Sequence, residues 1–534
     1  VVCRSRWALV SLVAAALLGS LTAPGNAAAQ REIDIGSPGS PASLDPHKIT
    51  GVWENRIVGD MFMGLTTEGP DGSIVPGAAE SWDVSDDGLV YTFHIRDHDW
   101  SDGRPVTAAD FEYSLKRMLA PETACPYADF FFMIAGAKAY TSGHGTADNV
   151  KIEAIGEHTL RIELTHPTAY FTGLLMHFAA MPVPRQAVER YGRDWTSAEH
   201  IVVNGPFILD ERVPNAYVAL RRNPSFYAAQ DVAVDRVVYH VQEDRKAAVQ
   251  RFRTGELDIV RDFPSSEAPR LRRLLGAEVV RTKPFLGLTF VAINQRVPAL
   301  QDRNVRTALS MALDREVIAE KLLGSGEQPA YSLVPPGTEH YGTPAELEWH
   351  DWPASRRLAK ARELMRAAGY GPGHPLSLQL RYPTSENDRR VAVAAQAMWR
   401  QIGATVELLS AETAIHYARL QAGEFDLGLA SWLAVYSDPQ TFTLLLQSPS
   451  SASSANNFGA YRNPRYDDLT AQAARSVSVD RRSELLRQAE ALALEDSGLI
   501  PVFHHASRNL VSTRVQGWQS NPLDVHRSRY LSIR

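Results

Sequence analysis

Two segments of this chain follow one pattern. Gly255-Glu256-Leu257-Asp258-Ile259-Val260 and Gly423-Glu424-Phe425-Asp426-Leu427-Gly428 each set glutamate, apolar, aspartate, apolar behind a helix-stopping glycine. The copies lie about 170 residues apart, too distant and too imperfect for a solenoid repeat. They predict two lobes, each with a helix feeding a buried strand of its own sheet. A chain of 534 residues is too long for one core, which agrees with two or three domains.

The second copy carries the candidate site. Its apolar run reads as a buried strand, and Ser431-Trp432-Leu433-Ala434-Val435-Tyr436 follow where that strand leaves its sheet. In open α/β folds, ligands sit at the carboxyl ends of strands. Trp and Tyr offer a broad apolar face with one polar tip, which suits the wall of a cleft. The same spacing also fits an indole that fills a core.

The amino terminus reads as a secretory signal over residues 1–29. Arg4 and Arg6 precede an apolar core at 7–18, too short to span a bilayer, and Ala27-Ala28-Ala29 supplies a cleavage site. Cys3 lies before that core, so no lipid-bearing cysteine is expected at the cleavage point. Cys125 is then the one cysteine left, and no internal disulfide is expected. The expected product is a soluble, secreted protein. A formal net charge of -6 argues against nucleic acid as a partner.

Local patterns fill in the rest. Residues 89–96 alternate, with Tyr91, Phe93 and Ile95 on one face, and 160–164 form a second such strand of the same antiparallel subdomain. Thr107 opens a helix as N-cap, with Asp110 completing a capping box. Further strands are expected at 201–203, 207–209, 217–221, 237–241, 286–293, 376–382 and 404–409. Helices are expected at 246–254, 302–323, 355–368, 388–402, 411–422 and 481–495. The alternation after 376 argues α/β.

Catalytic motifs are missing. There is no Gly-x-Ser-x-Gly elbow, no His-Glu-x-x-His helix and no phosphate-cradling glycine loop. Neighbours on a strand face opposite ways, so His504 and His505 are not expected to share a metal. No enzyme and no cofactor are expected, with a secreted hydrolase as the remote alternative.

Ala79-Glu80-Ser81-Trp82, Tyr91-Thr92-Phe93-His94-Ile95-Arg96 and Trp100-Ser101-Asp102-Gly103-Arg104-Pro105-Val106-Thr107-Ala108-Ala109-Asp110-Phe111 closely resemble the signature of the family 5 solute-binding proteins. These are the extracytoplasmic receptors of peptide-type ABC importers. Ser43-Leu44-Asp45-Pro46-His47-Lys48-Ile49, Thr123-Ala124-Cys125-Pro126-Tyr127-Ala128, Asn204-Gly205 and Val305-Arg306-Thr307-Ala308-Leu309 resemble the periplasmic oligopeptide-binding subgroup. The resemblance spans the mature chain. It implies an α/β, two-lobed periplasmic binding protein of type II with an extra α+β subdomain. Lobe I would comprise 30–61, 185–285 and 506–534, the inserted subdomain 62–184, and lobe II 286–505. It also implies a monomer that closes on an extended peptide and then docks on a membrane permease. The matching contact positions are Val52, Tyr127, Ser431, Trp432 and Leu433.

The charged positions depart from the family. Where relatives hold the peptide α-ammonium with an aspartate, this chain has Val435, and that aspartate's arginine partner is Leu429. A glutamate, a lysine, a histidine and an arginine correspond to Thr50, Leu323, Asp388 and Leu420. A buried charge without its partner costs roughly 2–5 kcal/mol. A free α-ammonium beside Val435 is therefore expected to bind at least about tenfold worse. The expected ligand is an N-blocked or longer peptide, a conjugate, or a non-peptide solute such as a glycoside or opine. Asp438, Asp388 and Arg419 are the candidate substitute anchors.

Overall fold

The computed structural model describes residues 31–534, apart from Pro372, Val435 and residues 449–455. The expected signal segment and Val435 thus lie outside the described residues. An eleven-stranded sheet runs through the molecule, and two long strands join its halves. Val280–Ile293 and Leu499–Val511 lie antiparallel at its centre. On one side follow Leu427–Leu433, Leu376–Pro383 and Ala404–Ala411. On the other follow Ile259–Arg261, Glu32–Ser37, Arg236–Val241, Tyr217–Arg222 and Phe207–Val213.

The long strands are not evenly paired. Pro284 faces Ala506 and Leu288 faces His504, with a register break between, so Val280–Ile293 uses extra residues there. Such a bulge bends a strand pair and disrupts its ladder. Apolar burial divides at the same place. One core gathers Leu309, Leu380, Trp399, Leu427 and Ile500. A second gathers Ile33, Phe62, Phe111, Phe207 and Val237. Two large cores, with a small third one of Leu257, Phe263, Leu271, Val280 and Leu510 at the connecting strands, make a two-lobed α/β molecule.

The repeated segment has a shared physical role. Asp258 Oδ2 accepts from the Asp34 amide at 3.2 Å, and Asp426 Oδ2 accepts from the Gln379 amide at 2.9 Å. In both lobes the aspartate just before a buried strand ties it to its parallel neighbour. The glycine ahead of each sits at φ 81° or 74°, the left-handed region that ends a helix cheaply only with glycine.

The inserted region has a four-stranded antiparallel sheet of Ala79–Val84, Val90–Ile95, Thr159–Glu163 and Ile152–Ala154. Helix Ala108–Leu119 follows the expected box, its Thr107 amide donating to Asp110 Oδ2 at 2.9 Å. Two expectations fail. Residues 201–203 belong to no strand. The helix expected over 302–323 stops at Ala312, and a wider helical turn, Val317–Leu323, follows. The cause is Arg315, fully buried, which donates to the carbonyls of Ser310, Leu313, Ala330 and Pro501. Its guanidinium takes carbonyls that a continuing helix would have paired internally.

Candidate functional site

Strand Leu427–Leu433 rises from core to surface. Leu427 to Ala430 are buried, Ser431 and Trp432 half-buried, and Leu433 is exposed. In the register with Val280–Ile293, Leu433 lies opposite Gly287, Trp432 opposite Leu288 and Ser431 opposite Thr289. A Cβ on Gly287 would come within 2.7 Å of a Leu433 methyl, so a larger residue there would have to push that exposed side chain aside. The Trp432 indole N–H donates to Thr441 Oγ1 at 3.2 Å, which fixes the ring against its own lobe.

The far edge of this strand is occupied. Its pairing with Leu376–Pro383 ends at Gly428. Beyond that point, side chains of helix Thr413–Ala422 replace a neighbouring strand. His416 Nε2 bonds the carbonyl of buried Leu429 at 2.9 Å. The Tyr417 hydroxyl accepts from the Ser431 amide at 3.1 Å and donates to the Ser431 carbonyl at 3.2 Å. Alternation along the strand puts the Leu433 backbone on that same edge. Ser431 Oγ meets Thr289 Oγ1 at 2.8 Å, and Thr289 Oγ1 meets His505 Nε2 at 2.8 Å. Burial holds the His505 imidazole down at about 3, hence neutral. His504 points the other way, to Ser332 Oγ at 3.1 Å.

Val52 opens helix Val52–Met61 and is 56% exposed. The loop before it is pinned from two sides. Glu54 Oε2 accepts from the amides of Gly51 at 2.8 Å and Thr50 at 3.1 Å, and Oε1 from Ala42 at 2.8 Å. Tyr127 donates to the Thr50 carbonyl at 3.2 Å. Its ring packs edge-on against Phe130, His177 and Phe178.

The two halves of the molecule touch at two separate places. At one, Tyr170 and Tyr436 stack with ring centres 5.0 Å apart and planes 9° apart. Arg482 lies 5.4 Å from the centre of the Tyr170 ring. At the other, Ser265 Oγ donates to Asn387 Oδ1 at 2.8 Å.

The candidate substitute anchors are already engaged. Asp438 is buried and clamped by Arg482 at 2.7 and 2.8 Å. Arg419 faces Glu424 at 4.0 Å. Asp388 serves the start of helix Glu386–Arg400, where Ser385 Oγ donates to its carboxylate and accepts from its amide. Burial pushes the Asp388 carboxyl above the usual range, with Ser385 drawing it back. Burial also pushes up the Tyr417 phenol, with Asp388 adding a smaller push. Leu420 and Leu323 are buried. Sequence reading overlooked Tyr417, because nothing in a helical tyrosine announces that it will replace a strand. Among the described residues, no group of three or more His, Cys, Asp or Glu is placed to hold a metal.

Two α/β lobes on a two-strand connection have the architecture of the two-lobed periplasmic binding proteins. The unliganded open form of the periplasmic murein tripeptide-binding protein MppA superposes with TM-score 0.82 at 34% identity, covering 95% of this chain and 98% of that one. The Haemophilus influenzae OppA complex with the peptide RPPGFSPFR gives TM-score 0.80 at 31% identity, covering 95% and 99%. The family model for bacterial extracellular solute-binding proteins, family 5, matches residues 73–454, and this chain belongs to that family. It is 35% identical to the periplasmic oligopeptide-binding protein OppA of Escherichia coli, over 98% of both chains. It is 33% identical, over the same shares, to the probable deoxycholate-binding periplasmic protein YgiS of Escherichia coli. These relatives are periplasmic binding proteins.

Proposed function

We propose that this protein captures peptides or peptide-like solutes in the periplasm by lobe closure and delivers them to an ABC permease. It acts as a monomer, freed of its leader by cleavage and without a lipid anchor, and it performs no chemistry on its cargo. Lobe I is formed by 30–61, 185–285 and 506–534, the inserted subdomain by 62–184, and lobe II by 286–505. The carrying observation is the emergence of Ser431, Trp432 and Leu433 from a buried strand directly beside the long strand that joins the lobes. Strand-like addition of a peptide would use main-chain groups there and tolerate varied side chains.

A second reading is a receptor for a non-peptide solute. Tyr417 favours it, because its hydroxyl holds both backbone groups of Ser431 that an added strand would use. Val435, in place of a carboxylate, favours an end that carries no free ammonium. Mass spectrometry of the solute released from purified protein tests the choice. A peptide mixture supports the first reading, and one non-peptide compound the second. Turnover of a chromogenic substrate would refute both.

A further inference from the structure

The helix that begins at Val52 carries Arg56 one turn further on, hence on the same face. Its side chain keeps 16% of its surface exposed and, among the described residues, donates no hydrogen bond and has one ion-pair partner, Asp524, at 3.9 Å. The second guanidinium beside that carboxylate is Arg261, at the end of strand Ile259–Arg261. Arg261 is 6% exposed and bonds Asp524 Oδ2 at 2.8 Å, while its Nε is buried without a partner. Asp524 is heavily committed. Its Oδ1 also takes Asn509 Nδ2 at 2.8 Å and His526 Nε2 at 3.1 Å. Burial holds His526 at about 4, so it brings no charge at neutral pH. Two guanidiniums therefore share one carboxylate, and Asn509 Oδ1 and Trp518 Nε1 beside them are buried without partners as well.

The neighbouring charges do not supply a second anion. Asp262 is engaged by Arg245 and Arg508, and Glu327 by Arg508. Asp60, further along the same helix, takes Tyr239 and the Ser528 amide. Glu68 is clamped by Arg527. The cluster lies next to the lobe contact and the strand bulge. Residues 262–265 run from Arg261 to the Ser265–Asn387 contact, and the Leu286 amide at the strand bulge donates to Pro522 beside Asp524.

From two guanidiniums on one carboxylate beside the lobe contact we propose that Arg56 and Arg261 form an anion-holding subsite, taking a carboxylate, phosphate or sulfate of the bound solute. Guanidinium forks bind such groups with paired, charge-assisted bonds. The inference rests on the receptor reading and adds the sign of the cargo. A charged group on the solute would meet Arg56 first, with Arg261 behind it.

The test compares wild-type protein with Arg56→Gln and Arg261→Gln, and with Arg56→Lys to keep the charge. Each is purified without washing off its cargo, and the released solute is weighed and identified. Each is then titrated calorimetrically with N-acetyl-tetraalanine as free acid and as amide. The expected solute is anionic, retained at least about tenfold less by the Gln variants, with partial recovery in Arg56→Lys. Circular dichroism and melting show whether each variant folds, and the acid-to-amide preference of the wild type needs no variant at all. A neutral or cationic solute, or equal retention by the folded Gln variants, overturns the subsite and leaves the receptor reading standing. A wild-type protein that releases nothing and binds neither probe overturns the receptor reading itself.

Discussion

Replacing Tyr417 with Phe removes one oxygen and leaves the ring. In the native protein that oxygen makes two neutral hydrogen bonds to Ser431, at 3.1 and 3.2 Å. Each such bond contributes about 0.5–1.5 kcal/mol net, so about 1–3 kcal/mol holds the Ser431 edge closed. A peptide adding as a strand at Ser431 must first displace the hydroxyl, and in Tyr417→Phe that cost vanishes. Strand-paired peptides should then bind about 5- to 100-fold tighter, at 1.4 kcal/mol per factor of ten. A solute that does not use the Ser431 backbone should be unaffected. The assay is calorimetry of both proteins with one N-acetyl tetrapeptide and its N-methylated-backbone analogue, which cannot pair. Weaker peptide binding by the variant would refute the reasoning, because it would make the hydroxyl a ligand contact and not a plug. Equal tightening of both probes would refute it too.

Two other outcomes follow from buried charge. Asp438→Asn leaves Arg482 buried without its partner and should cost about 3–5 kcal/mol, while Asp438→Leu with Arg482→Met should cost far less; urea melts in which the double variant is no better than the single would contradict this. Burial holds His47 at about 4 and His177 and His504 at about 3. Unfolded histidine takes up its proton near 6.5 and the folded sites do not, so stability is complete above that pH and falls as pH drops toward 4. At pH 5 the loss is about 2 kcal/mol per histidine. Glu490, pushed up to about 7 by burial, acts oppositely between about 4.5 and 7 and offsets roughly one of the three. The melting temperature should be lower at pH 5 than at pH 7.5, and a flat or reversed profile would contradict the assignment.

Much of the fold was legible because local chemistry and tertiary role coincide. Gly255 and Gly423 stop helices, and Asp258 and Asp426 tie strands to parallel neighbours. Thr107 and Asp110 close a box that depends only on adjacent residues. The emergence of Ser431 and Trp432 was legible because an apolar run ends there. What escaped depends on distant groups. Arg315 breaks a helical pattern by reaching carbonyls at Ala330 and Pro501. Tyr417 meets Ser431 only after its helix folds over the strand. Asp438 and Asp388 read as free carboxylates until their partners, Arg482 and Ser385, are in place. Arg56 and Arg261 lie far apart in sequence, and only the packing of a helix on a strand end brings them to one carboxylate.

Closure of the lobes on a solute is tested most directly by small-angle scattering of the protein stripped of cargo and then reloaded with it. On the proposed closure, the strand bulge between Pro284 and Leu288 would be the bending point and the Tyr170–Tyr436 stack the contact made and broken. Reloading should reduce the radius of gyration, and Tyr170→Ala should weaken retention of the same cargo. Identical scattering curves with and without bound solute would contradict the account.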